Sequence, residues 1–145
     1  MAQAFTAAES SYLSDQALAR LATATPTGRP HVVPVSFTLD KESETIHIGA
    51  HVLPGRGQSR LYHRHIENNP VVALVIDDLV STNPWTPRGI QIRGRAEIVA
   101  AGGERLAPGF GPIWVRVSPS WITSWGIETA PFEPPHSRAA AASET

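Results

Sequence analysis

Residues 17–37, ALARLATATPTGRPHVVPVSF, constrain the fold more than any other part of the chain. Apolar residues alternate with other residues on both sides of Pro26-Thr27-Gly28, which has the composition of a tight turn. Such period-2 alternation is typical of half-buried antiparallel strands, so the stretch predicts a hairpin. Pro34 has no N–H for a strand ladder and indicates an edge, a bulge or backbone that faces something other than a strand. An empty edge and a surface for a flat ligand both fit this position.

Further strand signals follow along the chain. The alternating or continuously apolar segments are residues 45–50, 71–76, 90–98, 113–117 and 121–125. The last two segments are separated by Ser118-Pro119, which predicts a break between strands. Gly94 interrupts the most regular segment, and a glycine there indicates a bulge or a bend that helps a sheet close on itself.

Two short helices are expected outside these strands. Thr6 and Glu9 have the spacing of a capping box, which predicts a helix that ends near Asp15. Ser59 can cap a second helix that runs through about Glu67. Together these elements predict a mainly β fold, an antiparallel six-stranded barrel with one or two short peripheral helices.

Length and composition indicate one domain. A chain of 145 residues with 41% hydrophobic content can bury one core of ordinary size, and we expect this domain to span residues 1–128. Residues 129–145 are rich in proline and then in alanine and serine, without periodicity. We therefore expect a disordered tail that folding does not require.

Charge and residue usage exclude several classes of protein. The formal net charge of -1 provides no overall field to attract nucleic acid or an anionic membrane, so we expect neither partner. The chain has no cysteine, which excludes disulfides, thiolate metal ligands and cysteine nucleophiles. No segment approaches the ~20 apolar residues of a membrane-spanning helix, and the N-terminus lacks a signal-peptide pattern. A cytoplasmic protein is the expectation.

Common catalytic motifs are absent from the sequence. There is no Gly-x-Ser-x-Gly elbow, Gly-x-x-x-x-Gly-Lys loop or Gly-x-Gly-x-x-Gly turn, so neither a hydrolase nor a nucleotide triphosphatase has local support. His47, His51, His63 and His65 lie close together in sequence. The last two are two residues apart on a predicted helix and would point apart, so we interpret these histidines as solvated surface residues and expect no metal site.

Several arginines follow the third predicted strand. Arg56, Arg60 and Arg64, with Ser59 at the start of the predicted helix, combine guanidinium groups, a hydroxyl and free helical N–H groups. That combination suits a phosphate. A solvated basic face of the helix is equally compatible with these residues.

Short motifs occur in a defined order across residues 5–128. They are LARLAT at 18–23, GRPHVVPV at 28–35, IG at 48–49, NP at 69–70, VAL at 72–74, PWTPRGI at 84–90, RGRAE at 93–97, GFGP at 109–112 and SWG at 124–126. In this order and spacing they resemble the pyridoxamine 5'-phosphate oxidase-like split β-barrel superfamily. The resemblance is to its branch of oxidoreductases that depend on the deazaflavin coenzyme F420.

The resemblance implies a homodimeric split barrel whose tricyclic cofactor lies at the subunit interface against the second strand. Relatives hold the cofactor phosphate with basic residues after the third strand, often as Thr-Lys-Lys-Tyr-Arg-Asn, where this chain has SRLYHRH at 59–65. The implied cofactor contacts are Val33, Pro34, Val35, Ser36, Ile48, Gly49, Arg56, Ser59, Arg60 and Arg64, with Trp85 and Arg88 contributed across the dimer.

The hypothesis that follows is a reductase that transfers a hydride from reduced F420 to an activated C=C bond. Its substrate would be a small, largely planar enone, quinone or polycyclic natural-product intermediate such as a dehydrotetracycline. Because the cofactor ring carries the hydride, few catalytic side chains are needed, and Ser36, Tyr62 and solvent are the candidate proton donors. The alternatives are an FMN-dependent oxidase or reductase of the same fold and a non-catalytic protein that binds a flavin, haem or tetrapyrrole.

Overall fold

A computed structural model of the chain describes residues 3–140. Two α-helices, one 3₁₀ turn at Gly103–Arg105 and seven strands make up this part of the chain. The helices and strands are α1 (Ala7–Ser14), β1 (Leu18–Ala24), β2 (Pro30–Asp40), β3 (Thr45–Ile48), α2 (Leu61–Asn68), β4 (Val71–Thr82), β5 (Trp85–Val99), β6 (Trp114–Trp125) and β7 (His136–Ala139).

Strands β1 to β6 form a closed antiparallel ring. The sheet order is β3-β2-β1-β4-β5-β6-β7, and a further pairing of β3 with β6 closes it. The start of β6 pairs with β3, whereas its end, from Trp121 to Ser124, pairs with β7. The predicted six-stranded split barrel with peripheral helices is therefore confirmed, with β7 as an additional strand at the edge of β6.

The interior of the ring is apolar because the strands alternate as their sequences predict. Leu21, Ile46, Leu74, Ile92 and Val117 are fully buried. Burial of such a side chain contributes roughly 1.5–3 kcal/mol. Helix side chains also pack into this core, namely Tyr12 and Leu13 of α1 and Tyr62 and Ile66 of α2.

The bend predicted at Gly94 is present, but the break predicted at Ser118-Pro119 is not. Residues 114–125 form one continuous strand, and its register with β5 shifts between Arg93 and Gly94, where Gly94 lies opposite Pro119. A Cβ at Gly94 would lie 2.2 Å from the carbonyl oxygen of Ser118. The bulge accommodates Pro119 inside the strand, so the proline does not end it.

The C-terminal segment differs from the expected disordered tail as far as residue 140. β7 pairs with β6, and Arg138 forms an ion pair with Glu9, whose side chain is fully buried. A buried carboxylate needs a partner, and the tail supplies it. The expectation of disorder for residues 141–145 lies outside the described residues.

The capping box that starts α1 is confirmed. The Thr6 hydroxyl accepts the Glu9 N–H, and the Glu9 carboxylate accepts the Thr6 N–H. The cap predicted for α2 is wrong, because α2 begins at Leu61 with Arg60 at the N-cap. At this end of α2 the Arg60 N–H donates to the imidazole Nδ1 of His63. This bond takes the place of the predicted cap by the Ser59 hydroxyl. Neither helix of the described chain is long and apolar enough to cross a membrane.

Candidate functional site

Strand β2 changes its pairing partner part-way along its length. From Pro30 to Ser36 this strand pairs with β1 alone, and it pairs with β3 only from Phe37 onward. The open edge lines a depression of about 340 Å³. Its lining residues are His31, Val33, Pro34, Val35, Ser36, Gly49, Ala50, His51, Arg60, Leu61, Tyr62 and Phe110.

The β2 side of the depression is flat and mostly apolar. Val33, Pro34 and Val35 line it, and Pro34 has no N–H that would need a partner at the open edge. Across from them, Gly49 lies against the ring of Phe110, where an added Cβ would be 2.2 Å from Cδ2. Such a surface can accept a planar ring.

One end of the depression carries positive charge. Arg60 is half-buried, and its guanidinium donates to the carbonyls of Gln58 (2.7 Å) and His51 (3.0 Å). No carboxylate of residues 3–140 pairs with it. Beside it, the N–H groups of Leu61 and Tyr62 in the first turn of α2 have no acceptor within the described chain. This end therefore combines a fixed cation with free amide donors, as an anion requires.

Two ring side chains behind Arg60 are buried and uncharged. Burial raises the pKa of Tyr62, so its phenol keeps its proton at neutral pH. Burial, together with the charge of Arg60, lowers the pKa of His63. Since Nδ1 of His63 accepts the Arg60 N–H, its proton is on Nε2, and this buried Nε2 has no partner among the described residues.

Seven of the residues proposed from the sequence lie together in the depression. They are Val33, Pro34, Val35, Ser36, Gly49, Arg60 and Tyr62. The other candidates do not line it. Ile48 is fully buried in the core, and Arg56, Ser59 and Arg64 are exposed outside it.

Trp85 and Arg88 occupy the hairpin of β4 and β5 instead. Trp85 is 56% exposed, opposite Thr82. Arg88 forms a bidentate pair with Asp78, with hydrogen bonds of 2.8 and 3.1 Å, and Tyr12 donates to the same carboxylate at 2.8 Å. The hydrogen bonds from Arg88 lower the pKa of Asp78, whereas burial and the bond to Asp78 raise that of Tyr12.

Sequence reasoning missed two imidazoles in the depression and misjudged two others. His31 and His51 line it, and the latter packs edge-on against Phe110 with 4.7 Å between ring centroids. His47 and His63 are buried rather than solvated. Burial lowers the pKa of His47, which hydrogen-bonds Thr45 and packs on Trp114. The alternation of β2 places His31 beside Val33 and Val35, a signal available in the sequence.

A second depression of about 280 Å³ continues from the first along α2. It is lined by Thr25, Arg29, Pro30, His31, Leu61 and His65. His31 and Leu61 line both depressions, so the two form one cleft. The β1–β2 turn forms the far side of this cleft.

Comparison with known proteins agrees with this architecture. The family model described as pyridoxamine 5'-phosphate oxidase matches residues 5–134. The chain belongs to this family. A curated member from Streptomyces rimosus subsp. rimosus, a 5a,11a-dehydrotetracycline/5a,11a-dehydrooxytetracycline reductase, is 39% identical over 124 residues. That match covers 86% of this chain and 84% of the relative.

Solved structures of related proteins share the barrel. An F420 reductase is 25% identical, with a TM-score of 0.57 and coverage of 77% of this chain and 93% of that chain. The FAD binding protein from Mycobacterium smegmatis is 24% identical, with a TM-score of 0.59 and coverage of 83% and 93%. The open edge of β2 thus lies in a fold whose named representatives include flavin and deazaflavin proteins.

Proposed function

We propose that this protein is an F420-dependent reductase that reduces an activated C=C bond in a planar, polycyclic substrate. The observation that carries the proposal is the open edge of β2, an apolar surface that ends at Arg60 and at free amides of α2. The 39% identity to a dehydrotetracycline reductase supports the type of reaction and substrate. The similarity to an F420 reductase supports the deazaflavin.

The residues present fit such a cofactor. The apolar surface formed by Val33, Pro34 and Val35 would contact the face of the cofactor ring, because removing two flat apolar surfaces from water favours this contact. Arg60 and the amides of Leu61 and Tyr62 would hold the phosphate. Arg60 is oriented in advance by the carbonyls that accept from its guanidinium, so less entropy is lost when the anion binds.

Once bound, the deazaflavin supplies a hydride. The chain's own residues then position the substrate and supply a proton for the carbon next to the carbonyl. The hydroxyls of Ser36 and Tyr62 and the imidazoles of His31 and His51 are the proton-carrying groups that line the depression. Because burial raises the pKa of Tyr62, its phenol stays protonated across the neutral range and acts as a hydrogen-bond donor to a substrate oxygen.

We further propose that the active form is a homodimer. On the outer face of the barrel, Val32, Ala22 and Ala73 lie side by side on β2, β1 and β4. Val32 is 66% exposed and the neighbouring Val71 56%. A second copy would cover this apolar face and complete the cleft, with Trp85 and Arg88 as the candidate contributions across the interface. A light-scattering mass of one chain at micromolar concentration with cofactor bound would contradict this arrangement.

A side-by-side titration with F420, FMN and haem tests the cofactor assignment. We expect F420 to bind most tightly and reduced F420 to be oxidised when a dehydrotetracycline is added. FMN as the preferred ligand, with turnover, would replace F420 in the proposal.

Haem is the second candidate, and the imidazoles of His31 and His51 in the depression favour it, since neutral imidazole is a common ligand of haem iron. A sharp Soret shift that is lost in His31→Ala or His51→Ala, without any F420 binding, would establish a haem-binding protein instead.

A further inference from the structure

One buried side-chain nitrogen of residues 3–140 lacks a hydrogen-bond partner, and it lies behind the proposed anion site. It is Nε2 of His63, a residue that is 5% exposed. The other ring nitrogen, Nδ1, accepts the N–H of Arg60 at 3.0 Å, and the His63 N–H donates to the Arg60 carbonyl at 3.1 Å. These two reciprocal bonds fix the backbone of the residue whose guanidinium provides the charge at one end of the depression.

Folding alone does not require an imidazole at this position. His63 is the third residue of α2, where a glutamine or glutamate commonly accepts the N–H of the N-cap residue. The imidazole makes the same bond but leaves its Nε2–H unpaired in the interior, which lowers stability. What the imidazole adds is the ability to take up a proton in the physiological pH range, which glutamine lacks.

The ionisable groups around His63 on its own side of the fold include one close charge. Arg60 is the charged group that acts on His63, and Tyr62 packs against its ring with 4.4 Å between centroids. The remaining ionisable residues of α2 and of the loop before it are exposed or line a depression, namely His51, Arg56, Arg64, His65 and Glu67.

The strands that α2 packs against, β1 and β5, add no counter-charge. Their charged residues are exposed or paired elsewhere, namely Arg20, Arg88, Arg93, Arg95 and Glu97. Among residues 3–140, therefore, no carboxylate stabilises a charged His63.

A proton on Nδ1 would break the contact with Arg60 in two ways. Nδ1 would become a donor that faces the Arg60 N–H, so the hydrogen bond between them would be lost. The imidazolium would also repel the Arg60 guanidinium, just as burial and the charge of Arg60 lower the pKa of His63. The backbone of Arg60 would then lose the bond that fixes it, and an anion would find the guanidinium less well oriented.

We propose that His63 is a positioning residue for Arg60, whose neutral imidazole keeps the anion site assembled and whose protonation releases Arg60 and weakens cofactor binding. This inference rests on the proposed function and assigns a regulation to the same site. It makes acid a release signal for the cofactor, and the signal acts through a residue that does not itself line the depression.

A fluorescence titration with F420 in the parent and two variants tests this inference. His63→Gln keeps an acceptor for the Arg60 N–H and cannot be protonated, whereas His63→Leu has no acceptor. At about pH 8 we expect the parent and His63→Gln to bind F420 within about twofold of each other, and His63→Leu to bind roughly three- to tenfold more weakly.

The decisive quantity is the dissociation constant of the parent divided by that of His63→Gln, followed from about pH 8 to about pH 5. This ratio cancels any titration of F420 itself and of the other groups in the depression. As the pH falls, we expect the ratio to rise roughly three- to tenfold, as loss of one hydrogen bond implies.

Two further readouts separate positioning from a general loss of structure. NMR of the free protein should show the His63 proton on Nε2 at neutral pH, and the ratio should rise over the pH range in which Nδ1 takes up its proton. Turnover at saturating F420 should be unchanged in His63→Gln and in His63→Leu, because neither substitution alters a contact with the reacting ring.

His47→Gln is the matched control. His47 is also a buried histidine whose pKa is lowered by burial, but it packs on Trp114 and lies outside the depression. The pH dependence of F420 binding in this variant should follow that of the parent.

Failure of the parent to bind F420 at any pH overturns the proposed function and this inference with it. Binding by the parent with the same pH dependence in His63→Gln overturns the inference alone. An imidazole that stays neutral throughout the pH range does the same, as does equal binding by the parent and a natively folded His63→Leu at about pH 8. Tighter binding by the parent than by His63→Gln in acid would also overturn it, because attraction of the imidazolium to the phosphate would then outweigh the loss of position.

Discussion

Arg138 and Arg60 lie at different places on the barrel, and their guanidinium groups have different kinds of hydrogen-bond acceptor. At the junction of β7 and α1, Arg138 donates to both carboxylate oxygens of the buried Glu9 and to the carbonyl of Ala4. At the open edge of β2, every acceptor of the Arg60 guanidinium among residues 3–140 is a backbone carbonyl. Carbonyl dipoles orient a guanidinium without cancelling its charge, whereas a carboxylate neutralises it. Arg138 is therefore compensated within the chain, whereas Arg60 is oriented but keeps its charge, which is why we propose it as a ligand contact.

The largest effect is expected at the paired arginine. Arg138→Ala leaves the fully buried Glu9 without its counter-ion, and we expect the free energy of unfolding to fall by about 3 kcal/mol. A chain that ends after Glu128 should lose at least as much, since it also lacks β7. Urea unfolding measures both. Full stability in the shortened chain would show that the tail is dispensable, as its composition suggests, and would remove one side of the comparison.

The double variant Glu9→Gln/Arg138→Ala refines this test. With the buried charge removed, the loss caused by Arg138→Ala should shrink to about 1 kcal/mol. A loss that stays the same in both backgrounds would mean that Arg138 stabilises the protein by packing and not by charge.

The oriented arginine should affect binding more than stability. Arg60→Ala is expected to weaken F420 binding by roughly ten- to a hundredfold, equivalent to 1.5–3 kcal/mol for a charge-assisted hydrogen bond. Turnover at saturating cofactor should change little, because the contact forms equally in the ground and transition states. Salt should weaken F420 binding in the parent more than in the variant. Equal F420 affinities and equal salt dependence in the parent and in Arg60→Ala would show that Arg60 only holds the loop before α2 and does not contact the cofactor.

Acidification should weaken the ion pair of Glu9 and Arg138 before it unfolds the rest of the barrel. Burial opposes ionisation of Glu9, but hydrogen bonds from Arg138, Ser124 and Thr6 outweigh it and hold its pKa below the ordinary 4.5. A lowered pKa in the folded state means that the contribution is present above pH 4.5 and is lost as pH falls through the folded value. We expect the free energy of unfolding to fall over this range in the parent but not in Glu9→Gln, as measured by urea unfolding at several pH values.

The smallest effect is expected where a pair is exposed. Arg20 and Asp77 lie 3.1 Å apart with about half of each side chain exposed. Solvent screens such a pair, so Arg20→Ala should change the free energy of unfolding by no more than about 0.5 kcal/mol. A loss comparable to that of Arg138→Ala would show that pairing, and not burial, decides how much an arginine contributes to the stability of this barrel.

Much of the fold could be predicted because its signals are local. The alternation of residues 17–37 and the capping box of Thr6 and Glu9 each depend on neighbours within a few positions. Pro34 pointed to an open edge because a missing N–H is a property of the residue itself. The strand break predicted at Ser118-Pro119 was wrong because that prediction also used local information alone. The bulge that accommodates Pro119 is made with Gly94 on the neighbouring strand, and a local pattern carries no information about that partner.

The candidate site was predictable only in part. Val33 to Ser36 and Gly49 were found through strand order and resemblance, and they do line the cleft. Arg56, Arg60 and Arg64 were indistinguishable in sequence, since all three are arginines in the same region. Only the path of the loop before α2, where Arg60 meets the carbonyls of His51 and Gln58, separates the one that lines the cleft from the others.

By itself, then, the sequence determined the period of each strand, most of the turns and the start of α1, because these depend on interactions between near neighbours. Tertiary structure alone decided which charges are neutralised and which stay uncompensated among residues 3–140. Glu9 and Arg138 are 129 positions apart, and the two depressions join only because β2, its turn and α2 converge. Whether a charge is compensated depends on what the fold brings within a few ångströms of it, and separation along the chain does not reveal that distance.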